Sequence, residues 1–193
     1  MPVKSYIYIS GQGADPQANG RLNDPILRGT TSLGACMPNI RRLVSRGDYI
    51  FVISGKTRGV QQYVVGGFEV AEKIDTLAAY QRFPENRLRL NDDGILEGNI
   101  IVNEDGSKHP LDGHKMATFD SRVQNWILGA NSVALESERE VELGRMQTLD
   151  KLASILNKPK GNRVIDMMGR WAKMNDAQTN EMLAWLRGIK AAP

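Results

Sequence analysis

The segment Ser54-Gly55-Lys56-Thr57-Arg58-Gly59 gathers two cations, two hydroxyls and two glycines, the residue types best suited to meeting a phosphate. Gly55-Lys56-Thr57 follows an apolar run, which invites comparison with a phosphate loop whose backbone amides and lysine cradle a nucleotide. The spacing excludes that loop. Its first glycine would fall at position 50, which is Ile50, and the next element reads as a strand rather than a helix offering its N-terminus to an anion. Gly11 and Gly13 begin a dinucleotide fingerprint in the same superficial way, but Pro16 stands where the third glycine belongs.

Other chemistry-bearing residues are few. His109 and His114, with Asp112 between them, are ordinary metal ligands or acid/base groups, yet they lie in a turn-rich segment without a nearby cysteine, and no metal or other cofactor is expected. Glu69, Asp112 and His114 are the candidates for a general acid or base if the chain is an enzyme. Cys36 could act as a nucleophile only if His114 approached it, and beside Met37-Pro38 it reads as a buried residue. A single cysteine excludes a disulfide framework and any multi-cysteine zinc site.

Recognition of a base fits the remaining pattern better. Tyr6, Tyr8, Tyr49, Phe51, Tyr63 and Phe68 fall on apolar, β-branched runs, and one or two facing a cleft would suffice to hold a base. Ser10, Asn39, Ser54, Gly55 and Tyr63 are the expected ligand contacts, with Arg41, Arg42, Lys56 and Arg58 on phosphate. The charge distribution permits this. Residues 1–75 hold nine Lys/Arg against six Asp/Glu, whereas 76–193 hold sixteen of each, so the net charge of +3 lies wholly in the N-terminal part.

These residues need a scaffold. Tyr6–Ile9 reads as an opening strand, followed by a long polar loop over 10–34 and a short helix from Pro38 to Val44. Tyr49–Ile53 and Tyr63–Val70 read as strands after the Gly47-Asp48 turn, and Gly66-Gly67 signals a bulge or a close backbone approach. A helix over Leu77–Phe83, strands over Asn86–Leu90 and Gly98–Asn103, and a strand over Asn125–Leu128 follow. Beyond 135 the pattern turns helical: a capping box at Ser137 and Glu140 opens one helix, Arg163–Lys173 reads as a second, and a third starts near Asp176. The expected organisation is a barrel domain over 1–134 and a helical extension over 135–193, packed on the barrel or mediating a homodimer. No run approaches the roughly 20 apolar residues of a membrane span. Met1-Pro2-Val3-Lys4-Ser5 leads into a strand rather than a signal-peptide core, so a cytoplasmic location is expected.

The order of Asn39-Ile40-Arg41-Arg42-Leu43, Gly47-Asp48 through Ser54, and Val65-Gly66-Gly67-Phe68-Glu69-Val70 resembles the PUA-like superfamily, in particular EVE-type and YTH-type domains. With Gly34-Ala35-Cys36-Met37-Pro38 included, the chain is similar to the nucleotide-modification-associated domain family, type 2, of bacteria and phages. The resemblance spans mainly 5–130. It implies an α+β fold, a PUA-like mixed β-barrel with short helices and a C-terminal helical extension, whose cleft accepts a flipped, modified base in nucleic acid or a nucleotide. Asn39 and Ser54 lie where such readers place pocket-lining residues. Tyr6–Ser10 lacks the tryptophan usual in EVE-type domains, and Ile53 replaces an aromatic residue, so an aromatic cage is not implied. The resemblance also leaves open an enzyme acting on a modified nucleotide.

Overall fold

The computed structural model describes residues 3–192, so Met1 and Pro2, ahead of the first strand, and Pro193 lie outside the description. In chain order the elements are β1 (Ser5–Ile9), α1 (Pro16–Asn19), β2 (Ser32–Leu33), α2 (Pro38–Leu43), β3 (Tyr49–Ile53), β4 (Val64–Ile74) and α3 (Thr76–Arg82). There follow β5 (Arg89–Leu90), β6 (Leu96–Glu97), α4 (Phe119–Arg122), β7 (Trp126–Ala134), α5 (Glu138–Leu156), α6 (Val164–Met168), β8 (Trp171–Met174) and α7 (Asp176–Ala191). The fold is α+β, with a six-stranded mixed sheet in the order β2-β7-β4-β3-β1-β8 and a two-stranded β5-β6 ribbon. No helix is long and apolar enough to cross a membrane among the described residues.

The chain forms two interleaved compact units, one from residues 1–22, 48–68 and 132–193, the other from 23–47 and 69–131. In the first unit, β1 and β3 are parallel neighbours paired from Ser5↔Tyr49 to Ile9↔Ile53. Their sequences, SYIYI and YIFVI, are apolar almost throughout and nearly every residue is buried, as a strand covered on both faces requires. β3 turns back into β4: Ser54 N–H donates to the Tyr63 carbonyl and Gly47 N–H to that of Val70, an antiparallel register. The glycine pair of β4 marks close approaches. A Cβ on Gly66 would lie 2.2 Å from the Val133 carbonyl oxygen, and one on Gly67 2.3 Å from the Phe51 ring.

Helices α5 and α7 belong to this same unit. Both begin in capping boxes, Ser137 with Glu140 and Asn175 with Gln178, which satisfy amides that a helix start otherwise leaves open. Their buried faces run through Val141, Thr148, Leu152 and Ile155 on α5 and Met182, Trp185, Leu186 and Ile189 on α7. Trp185 Nε1 donates to Gln147 Oε1 at 2.8 Å, and Thr148 Oγ1 accepts the Val64 amide at 3.1 Å, giving the first residue of β4 a partner from α5. These apolar faces are buried within the unit. Between the helices the structure departs from the expected helix over Arg163–Lys173. α6 stops at Gly169, which takes a positive φ of 66°, and Trp171–Met174 becomes an edge strand antiparallel to β1, from Ser5↔Met174 to Tyr8↔Trp171. The alternation of exposed Trp171 and Lys173 with more buried Ala172 and Met174 is the period of a strand.

The second unit packs Ala35, Ala79, Leu88, Ile100, Ile101, Val102, Phe119 and Trp126 into one core, with Phe83 stacked on Trp126 at 5.2 Å. The strand expected over Gly98–Asn103 reduces to single bridges at Ile100 and Val102. Polar groups knit the loops around that core. The buried Asp24 carboxylate accepts from the backbone amides of Gly34, Ala35 and Cys36 at 2.7, 2.8 and 2.5 Å, and from Asn99 Nδ2 at 3.0 Å. Asn99 in turn accepts from Trp126 Nε1 at 3.2 Å. Gly34 admits no side chain, since a Cβ there would meet the Asn99 carbonyl oxygen at 2.1 Å.

Candidate functional site

The first unit carries an open cleft of about 860 Å³ beyond the carboxyl ends of β1 and β3. Ligands in α/β architectures favour that end of a parallel pair, and the volume suits a small organic ligand. Two loops make its floor. The loop after β1 and the loop after β3 are stitched by Ser10 N–H to the Ile53 carbonyl at 2.9 Å, Gly13 N–H to that of Lys56 at 3.1 Å and Gly55 N–H to that of Ala14 at 2.7 Å. A third wall comes from 162–170, including Asn162, Arg163, Ile165 and Arg170.

The lining is electrostatically one-sided. Among the described residues, Lys56, Arg58, Arg163 and Arg170 line the cleft and no carboxylate does, while Gln12, Gln61 and Asn162 supply amides that can both donate and accept, and Gln62 adds its own with Nε2 already donating to the Ser54 carbonyl at 2.7 Å. Among the described residues, the side chains of Lys56, Arg58 and Arg170 have no hydrogen-bond or ion-pair partner. Arg163 differs, because Asp166 grips it at 2.6 and 3.1 Å, raising the guanidinium and lowering the carboxyl from their ordinary values through that hydrogen bond.

A buried ion pair fixes the two floor loops. Asp15 is fully buried, caps α1 by accepting from Gln17 and Ala18 amides at 3.1 and 2.9 Å, and takes Arg145 Nη2 on both oxygens at 2.9 Å. Arg145 also donates to the Gln61 carbonyl and lies over the Tyr63 ring, 4.6 Å from its centroid. One guanidinium on α5 therefore holds one loop through Asp15 and the other through Gln61. That is how a polar surface loop keeps a fixed shape.

Of the nine residues expected at the site, Ser10, Lys56 and Arg58 line this cleft. Ser54, Gly55 and Tyr63 are buried behind it. Ser54 Oγ accepts the Tyr63 amide at 3.1 Å, and a Cβ on Gly55 would lie 1.7 Å from the Gly11 carbonyl oxygen, so that glycine serves loop packing rather than ligand contact. The expectation for Arg41 is corrected outright. It is wholly buried in the second unit and spends all five donors on the carbonyls of Cys36, Gln124, Asn125, Ala35 and Arg122. Nothing remains for a phosphate. Asn39 and Arg42 are exposed on α2 of that same unit and take no part in the cleft.

The residues missed from sequence are the amides Gln12, Gln61, Gln62 and Asn162, and the cations Arg163 and Arg170. A usable signal existed in Gly161-Asn162-Arg163 and Gly169-Arg170, glycine-led basic turns inside a supposedly helical tail. In the second unit, His114 Nδ1 lies 2.6 Å from Asp112 Oδ1, and the other oxygen of that buried carboxylate pairs with Lys108 Nζ at 3.3 Å. His109 Nδ1 accepts the Leu111 amide at 3.2 Å, and Glu69 accepts from Asn131 Nδ2 at 2.7 Å. No group of three His, Cys, Asp or Glu side chains is placed to hold a metal among the described residues. Cys36 is no ready nucleophile: burial first, then the Asp24 carboxylate, push its thiol far above the ordinary range. Comparison with family models, curated proteins and solved structures finds nothing that matches this chain.

Proposed function

We propose that the cleft of the first unit is a non-catalytic recognition site for a modified nucleobase or nucleotide, carried on a PUA-like sheet and acting on cytoplasmic nucleic acid. The lining carries this reading: three unpaired cations, with Arg163 held by Asp166, and no lining carboxylate among the described residues surround a concavity edged by four carboxamides. Cations of this kind attract phosphate, and carboxamides read the mixed donor and acceptor edge of a base. Ile9, Val60 and Ile165 give the base an apolar wall. Phosphate contacts set affinity and the amides set selectivity.

Titration of modified and plain oligonucleotides at two salt concentrations tests the proposal. Tighter binding of a modified strand, weakening steeply with salt, is expected. Equal binding of both, or none at low salt, overturns it.

A second reading rests on the His114–Asp112 contact. A buried carboxylate orienting an imidazole is an arrangement suited to general acid/base catalysis, and under this reading the chain is an enzyme acting on a modified nucleotide or base. Under that reading His114→Ala and Asp112→Asn each abolish turnover of such a nucleotide. Turnover that survives both substitutions removes it.

A further inference from the structure

Trp171 is the exposed aromatic residue that neither the cleft nor the core absorbs. It opens β8, the edge strand of the first unit, and is 39% exposed, in contrast to Trp126 and Trp185. Its ring leans on the buried Tyr6 ring at 5.9 Å with a 53° tilt, which braces it without covering it. Its neighbours are cations. Arg170 immediately precedes it and lines the cleft, with the Arg170 carbonyl accepting the amide of Ile9, another lining residue, at 3.0 Å. Lys173 follows two positions on, on the same face of the strand, exposed and without a side-chain partner among the described residues. Arg170, Trp171 and Lys173 thus make a strip over the β8 edge that starts at the cleft rim, with Arg170 on the face of Ile9 and Trp171 and Lys173 on the other.

We propose that this strip seats the nucleotide flanking the recognised base, so that the ligand is a single strand and not a free nucleotide. The inference rests on the reading of the cleft as a base-recognition site. Positive charge tracking a backbone beside an aromatic face on which a base stacks is the arrangement by which proteins hold single strands without reading sequence. A free nucleotide fills the cleft and leaves Trp171 untouched. A strand whose base enters the cleft passes Arg170 with one phosphate, turns over the exposed edge of β8, stacks its neighbouring base on Trp171 and reaches Lys173 with the next.

The test compares nucleoside 5′-monophosphates with single strands of about four to six nucleotides of the same base. The wild-type chain is expected to bind the strands more tightly. Trp171→Ala should weaken strand binding about tenfold, the usual effect of removing one stacked base, and leave monophosphate binding unchanged. Trp171→Phe should retain most of the affinity, and Lys173→Ala, an exposed substitution that leaves the fold intact, should flatten the salt dependence for strands alone. Equal weakening for both ligands, or none for either, overturns the strip as a strand platform. So does a wild-type chain that binds monophosphates as tightly as strands, an outcome that leaves the cleft reading standing. A wild-type chain that binds neither ligand overturns both, and shows it before any residue of the strip is changed.

Discussion

Arg58 and Arg170 of the first unit and Arg41 of the second are used in opposite ways. Arg58 and Arg170 line an open cleft with Lys56, without partners among the described residues. In the second, Arg41 is buried and its guanidinium replaces a missing strand of backbone pairing by collecting five carbonyls from 35–36 and 122–125. One arrangement leaves charge available to a ligand. The other uses the charge to satisfy loops that have no ladder of their own. A basic residue is therefore a ligand contact only where the surrounding backbone does not already claim it.

Substitutions that reverse these roles should differ most in stability. Arg41→Met removes the guanidinium donor from five loop carbonyls at a buried position and should destabilise the protein by about 3–5 kcal/mol, read from denaturant unfolding. Lys or Gln at this position, with fewer donors than the guanidinium fork, should recover only part of that stability. A cost below about 1 kcal/mol at Arg41 would mean that water replaces the guanidinium, and the contrast between the units would collapse.

Gly55→Ala sharpens the first half of the comparison. The added methyl collides with the Gly11 carbonyl oxygen, a backbone atom that cannot move aside without separating the two floor loops. The expected cost is about 2–4 kcal/mol, together with loss of ligand binding, measured by thermal melting and titration of the same sample. Near-normal melting with normal binding would show that the loops are not held as described.

A smaller effect separates the units by pH. The raised thiol of Cys36 remains protonated in the folded second unit while the unfolded chain loses that proton above about pH 9, so the unfolded state binds fewer protons and stability falls as pH rises past that point. Unfolding midpoints between pH 8 and pH 10 should show this decline, and Cys36→Ala should reduce its slope. Alkylation of native Cys36 at pH 8 should be far slower than in denaturant, and equal rates would place the thiol in solvent.

Much of the scaffold is readable because its signals are local. Two apolar runs mark β1 and β3, Pro38 opens α2, the Ser137–Glu140 capping box fixes the start of α5, and α7 starts at the Asp176 expected. β8 is not readable, because Trp171–Met174 becomes a strand only by pairing with β1 at the other end of the chain. β7 reads as a short strand ending at Leu128 and extends to Ala134, its polar second half including Asn131 at a φ of 48°. The same distinction governs the site. Lys56, Arg58 and Ser10 sit in turns that directly follow strands, and their placement at the strand ends follows from sequence. Arg41 lies one helical step from the exposed Arg42, and three of the five carbonyls that turn it inward lie some eighty residues away. The wall from 162–170 depends on tertiary packing of the same kind.

The smallest stability change carries the most direct test. Lys56→Ala with Arg58→Ala touches no partner among the described residues and should shift unfolding by no more than about 0.5 kcal/mol per site. Binding of a single-stranded oligonucleotide by this variant should weaken markedly, with the slope of log affinity against log salt reduced by about 0.7 for each phosphate that is no longer neutralised. A variant that melts normally and binds with unchanged affinity and salt slope would contradict the assignment of the first unit's cleft as the site of recognition.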